Sequence, residues 1–174
     1  AAPMLHINGH TPGDKLANIQ QMDKFKITRE HLATLWKDFN TADLKVDLVA
    51  IGSPHASLSE CRNFVKFFDE KSCSPNVKTI ITIGRDVLSQ VREEGVLDEL
   101  KRAGIQVISD ICWCSITEPI FPHNTSVILT NSGKYAHYAH GLTGRKTRFG
   151  SLEDCAKTAQ SGFARSDLPE WLKN

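Results

Sequence analysis

Val46-Asp47-Leu48-Val49-Ala50-Ile51, followed by Gly52-Ser53-Pro54-His55-Ala56 and then Ser57-Leu58-Ser59-Glu60, decides the fold. The first six residues form a short apolar, β-branched run with the length of a buried strand. The next five contain glycine and proline, the strongest chain punctuators, and read as a turn. Ser57 with Glu60 three residues on is the capping-box pattern. It opens a helix expected to reach about Lys71, with Phe64, Val65 and Phe68 facing inward.

The same unit of strand, polar turn and helix recurs downstream of this stretch, and a helix precedes it. Upstream, Thr28 is placed to cap a helix to about Asn40, because Leu32, Leu35, Trp36 and Phe39 repeat at three- and four-residue steps. Downstream come a strand from Thr79 to Ile83, a Gly84-Arg85-Asp86 turn, and helical stretches through Arg102 broken near Gly95, with Gly104 as C-terminal cap. A third strand, Ile105 to Ser109, leads into an irregular stretch from Asp110 to Thr125. A fourth, Ser126 to Thr130, enters Asn131-Ser132-Gly133-Lys134 and a short helix towards His140. After a Gly- and Arg-rich loop, Ser151 with Asp154 caps a last helix to about Gln160. Ala164 to Asn174 reads as a surface tail with Trp171 packed back on the body.

Four apolar strands alternating with helices predict a three-layer α/β fold, a mainly parallel sheet built by right-handed crossovers and covered by helices. The 174 residues suit one domain, and 40% hydrophobic content supplies a core. A net charge of +1, from 21 basic and 20 acidic residues, offers no broad field for nucleic acid or anionic lipid. No apolar run approaches the roughly 20 residues of a membrane span, and Ala1 to Gly13 lacks the pattern of a signal peptide, so the expected location is cytoplasmic. Five cysteines (Cys61, Cys73, Cys112, Cys114, Cys155) are an odd number that fits reduced thiols or metal ligands better than a disulfide framework. The abrupt start, Ala1-Ala2-Pro3, suggests a fragment of a longer protein.

In open parallel sheets, ligands bind beyond the carboxyl ends of the strands. Here those ends are all polar: Gly52-Ser53-Pro54-His55, Gly84-Arg85-Asp86, Asp110-Ile111-Cys112 and Asn131-Ser132-Gly133-Lys134. The last suits an anion, since free amides at a helix start are joined by the charge of Lys134. It is not a Walker-type loop, because Ile128 stands where that motif needs glycine. A plain capped helix with a solvated lysine explains the same residues. Cys112-Trp113-Cys114 offers thiols for a soft metal or an iron-sulfur cluster, although buried structural thiols are equally compatible with it. In an extended segment the two would point oppositely, leaving only one to face a site. His55, after a proline in a turn, suits an acid, a base or a ligand, or simply ties the loop together.

Taken together, GSPHAS (Gly52 to Ser57), SDICWCSITEP (Ser109 to Pro119) and TNSGKYAHYAHGLTGR (Thr130 to Arg145) resemble the aconitase X family. HINGHTPG (His6 to Gly13) is similar to a further family segment. The resemblance implies an aconitase-like domain forming one wall of an active-site cleft, with a small-molecule carboxylate substrate. The remaining domains, or a small swivelling subunit, would belong to the same enzyme. It also implies an iron-sulfur cluster, of two-iron or four-iron type. By match to the family's Asp-x-Cys motif, Cys112 is carried over as a cluster ligand. Archaeal members tend to carry cysteine where this chain has Ser53, which argues against a three-cysteine cubane.

The wording of these motifs is nearer the cis-3-hydroxy-L-proline dehydratases than the mevalonate 5-phosphate dehydratases. The expected function is therefore part of a hydro-lyase giving Δ1-pyrroline-2-carboxylate, with the isolated piece inactive. Ser132, Gly133 and Lys134 would hold the carboxylate, and Ser53 and His55 would lie close to substrate or cluster. Two alternatives are a mevalonate 5-phosphate dehydratase subunit and a non-catalytic aconitase-like interaction domain.

Overall fold

The computed structural model describes residues 6–12, 23–116 and 118–173. The start Ala1-Ala2-Pro3, Gly13 of the early motif, Thr117 of the cysteine-bearing motif and Asn174 of the tail lie outside the described residues.

Five parallel strands form one sheet: β1 (Leu48–Ala56), β2 (Lys78–Ile83), β3 (Gln106–Ser109), β4 (Val127–Thr130) and β5 (Lys146–Phe149). Six α-helices accompany them among the described residues: α1 (Arg29–Phe39), α2 (Leu58–Phe68), α3 (Arg85–Glu93), α4 (Val96–Arg102), α5 (Gly133–Thr143) and α6 (Leu152–Ser161). The expected α/β fold is therefore present. The strand order is β3-β2-β1-β4-β5. The chain first builds outward from β1 to β3, then returns to the other side of β1 for β4. This reversal is a topological switch point, and it opens a crevice between the ends of β1 and β4.

Successive strand residues point to opposite faces, and the two faces are covered differently. Val49, Ile51, Ile81, Ile83, Val127 and Leu129 pack with α2, α3, α4 and α6 through residues such as Phe64, Phe68, Val91, Leu100, Cys155 and Ala159. Leu48, Ala50, Ile80 and Ile128 meet only α5 and the irregular stretch, through Trp113, Ile116, Phe121, Tyr135 and Ala139. One face thus carries four helices and the other α5 and a long segment, while α1 packs through Trp36 and Phe39 on Phe149 of the edge strand β5. Trp113 fixes that segment, since its indole Nε1 donates to the Ile51 carbonyl at 2.8 Å from a buried position.

The largest departure from regular strand geometry lies inside β1. Ile51 pairs with Ile81 and Ala56 with Ile83, so residues 52–55 stand opposite Thr82 alone. The expected turn is instead a bulge within the strand, and it pushes Ser53, Pro54 and His55 out at its carboxyl end. Gly52 makes this possible with φ +85. A Cβ at that position would collide with the Thr82 carbonyl and come within 2.7 Å of the Ala56 nitrogen. The Thr82 hydroxyl ties the bulge down by giving its single hydrogen to the Gly52 carbonyl, its nearest acceptor, with the Pro54 carbonyl at 3.1 Å and the Ile51 carbonyl at 3.3 Å also within reach.

Several expectations need correction. The Gly- and Arg-rich loop contains a fifth strand, β5, hidden by its charged wording Lys146-Thr147-Arg148-Phe149. Arg148 is 3% exposed, and its guanidinium donates to the Ala42 and Arg165 carbonyls, so a cation occupies what is usually an apolar position. Helix α2 stops at Phe68 because Asp69 turns left-handed, with φ 49. Helix α5 continues past His140 to Thr143, where Gly144 caps it at φ 69. On α1 only Trp36 is buried, while Leu32 and Leu35 are exposed. In the tail Leu172 packs inward and Trp171 is 60% exposed, the reverse of the expected anchor.

Because Gly52 combines a positive φ with backbone on two sides, Gly52→Ala should lower unfolding free energy by about 3 kcal/mol. Urea denaturation of the two proteins checks this, and a change within experimental error would contradict the tight bulge.

Candidate functional site

The crevice is built from the starts of the loops and helices that follow the strands. The β1 bulge presents an exposed His55 and a half-buried Ser53. The Ser132 hydroxyl donates to the Ser53 carbonyl at 3.3 Å, which joins the β1 bulge to the start of α5. The same hydroxyl accepts the Tyr135 amide at 3.2 Å and so caps α5. Its single hydrogen is therefore committed. An anion at this helix start would meet the amides of Gly133 and Lys134 and the Lys134 ammonium, rather than the Ser132 side chain. Gly133 and Lys134 are both exposed.

On the other flank, Asp110 holds the strand end after β3 to the start of α3. Its Oδ1 accepts the Arg85 backbone amide at 3.0 Å, and its Oδ2 accepts Arg85 Nε at 2.9 Å. Asp110 thereby caps a helix whose own N-cap, Gly84, has no side chain to do so. Desolvation raises the Asp110 carboxyl, but hydrogen bonds and charge from Arg85, with a further contribution from His55, hold it below the usual carboxylate range. His55 also borders Gly84, where an added Cβ would stand 3.8 Å from the imidazole Nδ1. His55 thus belongs to the β2 and β3 side of the crevice, and Ser132 to Lys134 to the β4 side.

The cysteine-bearing stretch turns through a single 3-10 turn, Trp113–Ser115, directly after Cys112. That geometry overturns the expectation of opposed thiols. Desolvation raises the Cys114 thiol, a hydrogen bond and like charge from Cys112 raise it further, and Lys134 opposes them. Cys112 is thus the neighbour that acts on Cys114, and both thiols are half-buried. Tyr135 lies underneath, fully buried with its ring 5.6 Å from Trp113, and its hydroxyl has no partner among the described residues. Burial first, then the neighbouring Cys114, push that hydroxyl above its ordinary range.

Two neighbouring thiols next to a buried orphan hydroxyl fit the edge of an iron-sulfur cluster. They do not form a full ligand set, since no three His, Cys, Asp or Glu side chains among the described residues group together for a metal. No described helix is long and apolar enough to cross a membrane.

Two further groups in the crevice went unread in the sequence. Asn131, the first residue after β4, donates from Nδ2 to Glu60 Oε1 at 3.4 Å, linking the starts of α2 and α5. Glu60 is legible only as a capping residue, a role it also fills by accepting the Ser57 amide at 2.9 Å. Asn131 Oδ1 and Ser53 Oγ are shielded from solvent and have no hydrogen-bond partner among the described residues. Only the position of Asn131 at a strand end signalled it beforehand.

The family description "Aconitase X third domain" matches residues 46–161. A cis-3-hydroxy-L-proline dehydratase of Hypocrea jecorina is 35% identical over an alignment covering 100% of this chain and 30% of that protein. The phosphomevalonate dehydratase large subunit of Aeropyrum pernix is 29% identical, covering 78% of this chain and 33% of its own length. The crystal structure of Thermococcus kodakaraensis aconitase X in its holo-form superposes with a TM-score of 0.76 at 26% identity, over 88% of this chain and 39% of that one. The chain thus spans about a third of the length of the curated relatives it matches.

The thiols divide by burial. Cys61 is fully buried and pushed up to about 11 by desolvation and then by Glu60, and burial raises Cys155 further still. In native protein, iodoacetamide should modify Cys112 and Cys114 roughly a hundredfold faster than Cys61 and Cys155. Peptide mapping by mass spectrometry checks the order, and equal rates would contradict this division.

Proposed function

This chain belongs to the aconitase X family, and from that premise we propose that it is one wall of the active site of a cis-3-hydroxy-L-proline dehydratase. The observation that carries the substrate choice is the 35% identity, over the whole chain, to an enzyme of that name. The match to a phosphomevalonate dehydratase large subunit is weaker, at 29% over 78% of the chain. The crevice is consistent with the choice, because it combines an anion-binding helix start with shielded hydrogen-bond acceptors. In this reading the chain is a single domain of a longer hydro-lyase and is inactive alone.

The reaction removes the C2 proton and the 3-hydroxyl of the substrate as water. The C2–H and C3–O bonds break, a C2=C3 double bond forms, and the resulting enamine tautomerises to Δ1-pyrroline-2-carboxylate. A bound iron-sulfur cluster supplies a Lewis-acidic iron for the departing hydroxyl or the carboxylate. Cys112 is the cluster ligand carried by this chain. The Gly133 and Lys134 amides and the Lys134 ammonium hold the carboxylate at the start of α5. Ser132 takes part by capping that helix and bracing Ser53, so it orients the amides instead of contacting the anion through its hydroxyl. His55 is the acid-base group this chain offers, aligned beside Gly84 and Asp110. Ser53 contributes its shielded hydroxyl next to the substrate.

The test uses the full-length enzyme, prepared anaerobically and assayed with cis-3-hydroxy-L-proline and mevalonate 5-phosphate side by side. Turnover of the first alone is expected, and turnover of the second alone would reverse the assignment. In the same preparation, Cys112→Ala should lose iron and visible absorbance, and Lys134→Ala should raise KM roughly tenfold. Unchanged iron and spectrum would remove Cys112 from the site, and unchanged kinetics would remove Lys134.

A further inference from the structure

Resting on the hydroxyproline reading, we propose that Asn131 is the residue that recognises the substrate nitrogen. Its side-chain carbonyl, together with the Ser53 hydroxyl, accepts the N–H groups of a cyclic ammonium held near the Glu60 carboxylate.

The orientation of Asn131 follows from its partner. A carboxylate only accepts hydrogen bonds, so the group facing Glu60 Oε1 at 3.4 Å must be the amide nitrogen. The carbonyl oxygen is then the free end of the side chain. It is shielded from solvent, and no donor among the described residues reaches it. Ser53 Oγ is in the same condition across the crevice, while the Ser53 carbonyl is occupied by Ser132 at 3.3 Å. Of the shielded polar atoms without partners among the described residues, these two stand at the ends of β1 and β4, where an N–H-bearing ligand would satisfy both.

The charge pattern supports the same occupant. Glu60 Oε2 is engaged by the Ser57 amide at 2.9 Å and the Ser57 hydroxyl at 2.8 Å, leaving Oε1 turned towards Asn131. The ends of β1 and β4 thus present acceptors backed by a carboxylate, and the exposed start of α5, three residues beyond Asn131, presents Lys134. An amino-acid zwitterion has the matching polarity, its ammonium towards Asn131 and its carboxylate towards Lys134. A ligand with neither N–H nor O–H at that position would leave the acceptors unpaired, and a site built around a polar group discriminates strongly against analogues that lack it.

Two unreactive probes separate this idea from the functional reading: L-proline, and tetrahydrofuran-2-carboxylate, in which a ring oxygen replaces the N–H₂⁺ group. Inhibition constants and calorimetric Kd values are measured on the full-length enzyme, its Asn131→Leu variant and its Asn131→Ala variant. The wild type should prefer L-proline by roughly tenfold or more, and both variants should lose that preference while binding the ether as before. A preference that survives in either folded variant overturns the proposal. Equal weakening for both probes marks a purely structural role and overturns it too. If the wild type turns over cis-3-hydroxy-L-proline yet shows no preference between the probes, only the Asn131 role falls. If it neither turns over that substrate nor binds either probe, the hydroxyproline reading falls as well.

Discussion

The hydroxyl of Thr82 beneath the backbone of Gly52 is the contact on which the site depends. It lets a central strand carry four residues opposite one and still pair with β2 before and after them. A bulge in a buried strand leaves backbone carbonyls short of ladder partners, and a buried carbonyl without a donor is costly. Thr82 stands within reach of three of them, at Ile51, Gly52 and Pro54, and gives its one hydrogen to the nearest, Gly52, while Trp113 donates to Ile51. The bulge is thereby stable enough to hold Ser53 and His55 beyond the sheet, where a regular strand would have aimed both at one of its faces.

The same contacts explain the unequal layers. Four helices on one face supply most of the apolar packing, and the other face is left to α5 and an irregular segment. That segment is held by directed contacts as well as by packing. Trp113 bonds back to β1, and Arg145 reaches the Thr125 carbonyl at 3.3 Å, Glu118 at 3.1 Å and the Phe121 ring at 5.0 Å. Such a layer can follow a path that no helix could, and it carries Cys112 and Cys114 past the carboxyl end of β3. Irregular backbone is thus used where chemistry needs particular side chains, and regular helices where only covering is needed.

The alternation of strands and helices was legible because apolar periodicity and capping residues act locally. Ser57 with Glu60 and Ser151 with Asp154 do form capping boxes at the expected places. What escaped was decided by contacts distant in sequence. β5 reads as a loop because Arg148 is buried against carbonyls of residues 42 and 165, which no local pattern reveals. Trp171 looked like the natural anchor of the tail by size alone, yet Leu172 takes the buried position. The gathering of polar groups at the strand ends was readable from the four loops, and the switch point explains why those after β1 and β4 matter most. The pairing of Cys112 with Cys114 was not readable, because it rests on a 3-10 turn in a stretch without periodicity.

The exposure of the rim bears on how it would work. Lys134 and His55 are exposed, and Asp110 and Arg85 keep side-chain exposures of 39% and 78% even while paired. Charges in that condition act through water, where their interactions are screened and weak. The strong electrostatic contribution of an enzyme site comes from dipoles and charges held in a water-excluded space. The deep groups, Asn131 Oδ1, Ser53 Oγ and the Tyr135 hydroxyl, already meet that requirement, whereas the charged rim does not. The crevice therefore divides into a preorganised floor built by this chain and a rim whose charges gain strength only when another surface closes over them. In the proposed dehydratase a wall of this kind would bind and orient, and its catalytic effect would depend on the surface opposite.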